Sequence, residues 1–157
     1  MSLLEIFDWL EQTAIGAAVR DSTWLFPAIE SAHLLGLAAL GGAVLVVDLR
    51  LLGLGLRGRP AAYILAQSRP VLGCALGLMI ATGVPLFLSE AVKCYWSNAF
   101  WLKMAVLVLA LAFTFGVRDP LVRSAASLPT WRARALAAGS LSAWLTVAAA
   151  GRWIGFS

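Results

Sequence analysis

Charge is the scarcest property of this sequence. Of its 157 residues, 13% are Asp, Glu, Lys or Arg, against roughly 25% in a typical soluble domain. Hydrophobic residues make up 61% of the chain, and the mean hydropathy is +0.87. This balance excludes an ordinary soluble domain. It predicts a single membrane domain over residues 1–157, with the lipid bilayer as its first partner.

Cysteine and histidine are also scarce. The two cysteines, Cys74 and Cys94, form no CxxC pair or other metal-binding spacing, so neither a zinc site nor a disulfide framework is indicated. The acidic N-terminus lacks a basic n-region, and we therefore expect no cleavable signal peptide. The net charge of +4 does not indicate a nucleic-acid partner, because the basic residues sit at the ends of apolar segments.

Long apolar segments are what the sequence has in quantity. A hydrocarbon core of ~30 Å takes about 20 helical residues, and we predict four transmembrane helices, at about 27–53, 71–89, 100–117 and 135–153. Residues 2–20 predict a short amphipathic interfacial helix, in which Ser2 and Glu5 have the spacing of a capping box. The predicted fold class is therefore all-α: a polytopic membrane four-helix bundle preceded by an interfacial helix.

Basic residues in the predicted loops give the orientation. The segments 55–70 and 118–134 are both rich in arginine, and they fall on the same side of a bundle whose helices alternate in direction. The positive-inside rule assigns that side to the cytoplasm. The N-terminus, the loop 90–99 and the C-terminus are then expected outside.

His33 is the only histidine, and it lies inside the first predicted membrane helix. An ionisable residue there indicates a functional site. In one interpretation an imidazole nitrogen binds a haem iron or another metal, and Glu30, one helical turn earlier, orients the ring. In the other, His33 is neutral and hydrogen-bonded, and it only fixes helix packing. Both interpretations stay open from the sequence.

Further polar groups are expected at the same level of the bundle. Lys103 lies about one turn inside the third helix, and Arg152 lies near the end of the fourth. These two cations are positioned to hold haem propionates near the outer face. The alternative is that both side chains extend to phosphate headgroups at the membrane surface.

The cytoplasmic half of the predicted bundle is nearly all apolar. Its charged residues near the helix ends, Asp48 and Arg50, are interpreted as structural groups that anchor the boundary or pair with Arg69, Arg118 or Asp119. A transport path normally needs polar groups in both halves of the membrane. This half therefore counts against a transporter.

Two segments carry a resemblance to known proteins. Residues 24–57 and 82–104 resemble a family of small bacterial inner-membrane proteins of unknown function, which implies a bacterial inner (plasma) membrane location. The arrangement is more distantly similar to the HemJ type of protoporphyrinogen oxidase and to the CopD-type copper-resistance membrane domain. HemJ-like proteins pair a first-helix histidine with a later lysine and bind haem b. The resemblance implies these roles for His33 and Lys103.

Three functional hypotheses follow. The leading one is a b-type haem protein, homo-oligomeric, that transfers electrons to or from a redox partner, with His33 as iron ligand and Lys103, Glu30 and Arg152 around the cofactor. The second is a small-solute or proton transporter or channel subunit lined by Glu30, His33 and Lys103. The third is a non-catalytic structural subunit of a membrane complex. The sequence leaves open whether the protein is an enzyme.

Overall fold

The computed structural model describes residues 2–124 and 129–155, and every regular element in these ranges is helical. Four helical segments there are long and apolar enough to cross a membrane, which confirms the predicted all-α membrane bundle. The protein is thus a multi-pass membrane protein. The elements are α1 (Leu3–Glu11), α2 (Ala14–Asp21), α3 (Leu25–Leu52), α4 (Ala61–Ser89), α5 (Ala91–Trp96), α6 (Asn98–Phe113), a π-helical turn (Thr114–Arg118), α7 (Asp119–Ser124) and α8 (Thr130–Ile154).

The bundle has two chemically different ends. At one end, which we name the capped end, lie the short helices α1, α2 and α5. At the other, which we name the basic end, lie the α3–α4 connection, α7 and the first turn of α8. Helix α3 packs on both α4 and α8, and α8 packs on α6. The α6–α7 segment, Asn98–Ser124, crosses the bundle as a single span.

The core is built in two layers along the bundle axis. The middle layer joins all four spans, and the second layer lies at the basic end. Buried residues of the middle layer are Leu40, Ala43, Val44, Leu72, Ala75, Ala110, Trp144 and Val147. Those of the basic-end layer are Val47, Leu51, Ile64, Leu65, Val122, Ala133 and Ala137.

Helix α4 is longer than the sequence predicts. The predicted second span, 71–89, placed Pro70 in a loop, whereas α4 begins at Ala61 and contains both Pro70 and Pro85. A proline removes one backbone hydrogen bond from a helix interior. The helix continues across Pro70 because Leu65 and Leu72, on either side of it, are both buried in the bundle.

Proline also explains the irregular third span. The predicted helix 100–117 extends over Asn98–Ser124 and includes the π-helical turn Thr114–Arg118, in which the Asp119 N–H bonds to the Thr114 carbonyl. In a regular α-helix the ring of Pro120 would clash with the carbonyl four residues earlier. The wider turn immediately before Pro120 relieves that clash and lets the helix continue.

The predicted basic loop 118–134 is mostly helical. Its first residues belong to the π-turn and α7, and its last belong to α8, which begins at Thr130 rather than near residue 135. Residues 125–128 lie outside the described ranges. The other predicted loop, 55–70, is also shorter in the structure, because α4 begins at Ala61. Before it, Gly53, at φ +77°, ends α3 in the left-handed conformation that glycine favours.

The N-terminal segment differs from the predicted single helix over 2–20. It forms α1 and α2, separated at Gln12 and Thr13, and the Thr13 hydroxyl accepts a hydrogen bond from the N–H of Gly16 as the cap of α2. The predicted capping box of Ser2 and Glu5 is confirmed. Rather than lying only on the surface, both helices bury side chains against the bundle.

Candidate functional site

His33 faces helix α4 and is hydrogen-bonded to the side chain of a threonine there. Its Nδ1 lies 2.8 Å from Thr82 Oγ1, and the Thr82 hydroxyl lies 2.6 Å from the Leu78 carbonyl oxygen. That carbonyl can only accept, so the hydroxyl proton of Thr82 is committed to it and the Nδ1–H of His33 must donate. The neutral ring therefore carries its lone pair on Nε2. Fixing one ring nitrogen in this way is how proteins orient a metal-binding histidine.

The close fit of α3 on α4 depends on glycine. A Cβ added at Gly83 would lie 3.2 Å from His33 Cε1, and one added at Gly36 would lie 3.3 Å from Met79 Sδ. The imidazole is thus held between the hydroxyl of Thr82 and the bare backbone of Gly83, and it is half-buried. Met79 packs one turn deeper, against Gly36.

Glu30 does not take the predicted role. Its side chain is exposed, and within residues 2–124 and 129–155 it makes no hydrogen bond or ion pair with His33. Thr82 occupies the orienting position that the sequence analysis gave to Glu30. The physical reason is that a carboxylate near the end of a span can reach water, whereas a threonine hydroxyl on the neighbouring helix is already inside the bundle.

Lys103 lies on α6 and packs against α8. A Cβ added at Gly151 would come within 3.5 Å of Lys103 Nζ and Cε. The side chain is half-buried, and its ammonium has no hydrogen bond or ion pair among the described residues. Lys103 is close enough to His33 for the two to interact electrostatically. His33 and Lys103 thus both lie in the capped-end half of the bundle, on helices α3 and α6. Arg152 is exposed on the last turn of α8.

The short helices form a lid over this end of the bundle. Phe7 of α1 packs edge-on against Phe87 and Tyr95, with ring centroids 5.5 and 5.3 Å apart. The Glu11 carboxylate accepts a hydrogen bond of 2.7 Å from the N–H of Val92 and lies 3.4 Å from Arg20 Nη1. These contacts tie α1 and α2 to α5, so the N-terminal segment is part of the folded structure.

Cys94 is a buried residue of α5, one of the helices of this lid. Burial, assisted by the Glu90 carboxylate, raises the pKa of its thiol from 9.0 to about 11. Because the thiolate is the reactive form, Cys94 should react with iodoacetamide about 100-fold more slowly at pH 8 than a thiol with the ordinary value. In a Cys74→Ala background, the rate should rise steadily as the pH approaches 11. Protein unfolded in dodecyl sulfate is the control. Fast labelling of the folded protein at pH 8 would show that the packing of the lid helices does not bury Cys94.

A second polar cluster lies in the basic-end half of the bundle, where the sequence analysis expected almost only apolar residues. Arg118 Nη1 is 3.0 Å from Asp48 Oδ1 and 3.1 Å from Ser140 Oγ, and Arg118 Nη2 is 3.1 Å from Asp119 Oδ1. All four residues are buried. The pairing of Asp48 with Arg118, one of the predicted alternatives, is confirmed. Asp119, also named there, joins the cluster through Arg118, and Ser140 was missed.

The π-helical turn joins this cluster to the middle core layer. Thr114 is fully buried, and its hydroxyl oxygen accepts a 3.0 Å hydrogen bond from Trp144 Nε1. The same turn ends at Arg118 and so directs the guanidinium toward α3 and α8. His33 at the capped end and the Asp48–Arg118–Asp119 cluster at the basic end are far apart: Asp48 lies fifteen residues after His33 on α3, or ~22 Å at 1.5 Å per residue.

Comparison with known proteins identifies a family but no activity. A family model described as "Family of unknown function (DUF6644)" matches residues 6–157. The chain belongs to this family. No curated protein and no solved structure matches the chain. The family assignment agrees with the resemblance to small membrane proteins of unknown function. DUF6644 membership brings no ligand or reaction, so any function has to be argued from the two polar sites.

Metal-binding clusters within one chain are not evident. Among residues 2–124 and 129–155, no three His, Cys, Asp or Glu side chains come together to hold an ion. The predicted metal ligand His33 is therefore not part of a group of three such side chains within the described residues. The signal that the sequence analysis missed was Thr82, a hydroxyl residue at the level of His33 on the next span. A buried imidazole needs such a partner.

Proposed function

We propose that this DUF6644 protein is an integral membrane haem protein that binds haem b at the capped end and transfers electrons. The observation that carries the proposal is the hydrogen bond from His33 Nδ1–H to Thr82, because it leaves the Nε2 lone pair as the free coordinating atom. A neutral imidazole with one nitrogen anchored is the usual axial haem ligand.

The donor chemistry fits a haem, but one chain does not enclose it. Two open recesses in the described residues have volumes of about 390 and 360 Å³. One lies on the membrane face around Gly42 and Ser68, the other at the basic end around Arg57 and Arg134, and neither is lined by His33. The haem would therefore be held where the half-exposed ring reaches the bundle surface, between copies of the chain. His33 of a second copy would supply a second ligand to the iron.

The surrounding residues would complete the site. Haem supplies one-electron chemistry at the iron, and the chain supplies binding and charge. The unpartnered Lys103 ammonium would neutralise a propionate, with Arg152 at the membrane surface as the second cation. Exposed Glu30 would remain outside the site. The proposal places the capped end outside the bacterial inner membrane, where a redox partner would meet it, since the basic end matches the positive-inside rule.

Visible spectra of the detergent-purified protein test this proposal. The oxidised protein should show a Soret band, and the dithionite-reduced protein should show α and β bands. His33→Ala should lose all three. Thr82→Val should retain haem about 10- to 100-fold more weakly, as expected when the group that orients a ligand is removed. Glu30→Gln is the matched control and should behave as wild type.

Two outcomes would contradict the proposal. A flat visible spectrum from concentrated protein expressed with ample haem would remove it. Equal haem retention in Thr82→Val and wild type, with His33→Ala still defective, would show that the anchored tautomer has no part in binding. Loss of stability in His33→Ala without any bound cofactor would instead favour the structural-subunit hypothesis.

One observation favours transport as a second candidate. The buried Asp48–Arg118–Asp119 group puts charged side chains in the half of the bundle that the sequence suggested was apolar. Against it, the middle core layer, with Leu40, Val44 and others closely packed, separates this group from His33. Transport predicts proton or solute flux in liposomes that is lost in His33→Ala. Flux equal to that of empty liposomes would exclude it.

A further inference from the structure

The cluster at the basic end carries unbalanced charge. Two carboxylates, Asp48 and Asp119, contact one guanidinium, that of Arg118, and the exposed fraction of each of the three residues is 1% or less. Each carboxylate uses only Oδ1 for this contact. If both acids were ionised, the three buried side chains would carry one excess negative charge. An unbalanced charge away from water is strongly unfavourable.

Two oxygen atoms in the cluster have no donor. Asp48 Oδ2 and Asp119 Oδ2 are buried and lack a hydrogen-bond partner in the described part of the chain. Other groups facing the cluster leave both atoms without a partner: Ser140 Oγ of α8 accepts a hydrogen bond from Arg118 and bonds to neither Oδ2, and Arg69 Nε of α4 lies 3.9 Å from Asp119 Oδ2. That separation exceeds hydrogen-bond length. Arg69 is also 45% exposed, so its charge is screened by its surroundings.

We propose that the Asp48–Arg118–Asp119 cluster is a proton-binding site that holds one exchangeable proton on a carboxylate oxygen. The proton adds to one lone pair, converting a carboxylate to a carboxylic acid and bringing the three side chains to zero net charge. No electron is transferred. A metal ion fits less well, because it needs several oxygen ligands together and Arg118 already occupies the space between the two carboxylates.

The position of the cluster suggests how the proton exchanges. Asp48 lies four residues before the end of α3, about one helical turn from the basic end. Arg69 reaches from the surface of α4 to within 3.9 Å of Asp119. The π-helical turn delivers Arg118 and Asp119 into the bundle, and such turns are frequent at functional sites. Exchange therefore occurs with the aqueous phase at the basic end and not across the closed middle layer.

Infrared spectroscopy of the purified protein at pH 7 tests this inference. Ordinary carboxyl groups lose their protons near pH 4, so a carboxylic-acid carbonyl band at pH 7 reports an unusual protonated group. Wild type should show a band equivalent to one carboxylic acid per chain, shifted in D2O because the proton exchanges. Asp48→Asn and Asp119→Asn should each lose the whole band, since the single remaining carboxylate is balanced by Arg118. Asp21→Asn, an exposed change, should leave it intact.

Each outcome decides the inference. Absence of the band in wild type at pH 7 would overturn it and would assign the balancing charge to Arg69 or a bound ion. A band that persists in both variants belongs to another group and would also overturn it. If the variants fail to fold, the band of wild type and its D2O shift still decide. The experiment needs no haem and does not involve His33, so it is independent of the haem proposal.

Discussion

Replacing Arg118 with methionine should lower the free energy of unfolding by about 3–5 kcal/mol, because it leaves Asp48 and Asp119 buried without their shared cation. Arg118 is 1% exposed and contacts both carboxylates at 3.0–3.1 Å. Methionine matches the length of the aliphatic part of arginine but carries no charge. Unfolding in detergent micelles, followed by circular dichroism, measures the loss.

A rescue variant separates charge from packing. Combining Arg118→Met with Asp48→Asn and Asp119→Asn removes every charge of the cluster and should restore most of the lost stability, as apolar replacement of buried ion groups often does. Arg123→Met, at an exposed position on α7, is the matched control and should change stability by less than about 0.5 kcal/mol. If Arg118→Met costs no more than this control, the cluster is not the buried network described here.

The sequence could not specify which residues distant in the chain contact each other. Hydropathy identified all four spans, because ~20 apolar residues in a row have few other solutions. The ends of the helices were harder to predict from hydropathy. The sequence analysis placed Pro70 in a loop before the second span, but buried residues on both sides of it hold it inside α4. The N-terminal segment was interpreted as lying on the surface, because an amphipathic pattern does not say whether its apolar face meets lipid or protein.

The candidate site shows the same division between local and distant information. A single histidine in a membrane span was enough to nominate His33, and the level of Lys103 followed from helix lengths. Thr82 is 49 residues from His33 and has no local signal of its importance. Arg118 was one of three possible partners for Asp48, and choosing it required knowing that the π-helical turn before Pro120 rotates it inward.

The separation of the two sites bears on function. Trp144, Val44 and Leu40 belong to a packed apolar layer that lies between His33 and Asp48. A solute would need this layer to open, whereas an electron carrier confined to the capped end would not. Proton exchange at the basic end also leaves the layer closed. Both proposals are therefore compatible with the packing of the bundle, whereas transport would require the middle layer to open.

Introducing one methyl group at Gly16 should loosen the whole lid. A Cβ there would collide with the Leu88 carbonyl oxygen and lie 2.8 Å from that of Glu11, both rigid backbone atoms. Overpacking of this kind costs about 1–3 kcal/mol, which outweighs the gain of up to about 1 kcal/mol that alanine brings to a helix. If the lid is weakened by about 1.4 kcal/mol, it opens about ten times more often. Iodoacetamide labelling of Cys94, in a Cys74→Ala background, should accelerate accordingly.

Gly77→Ala provides the matched control for this prediction. A Cβ added at Gly77 meets no atom within 4 Å, so the substitution changes only helix preference and should leave the labelling of Cys94 unchanged or slower. Glu11→Gln should act in the same direction as Gly16→Ala but more weakly, because it retains an oxygen for the Val92 N–H and loses only the charge facing Arg20. Equal labelling in the two glycine variants would mean that α2 is not held against α4 by the close approach at Gly16.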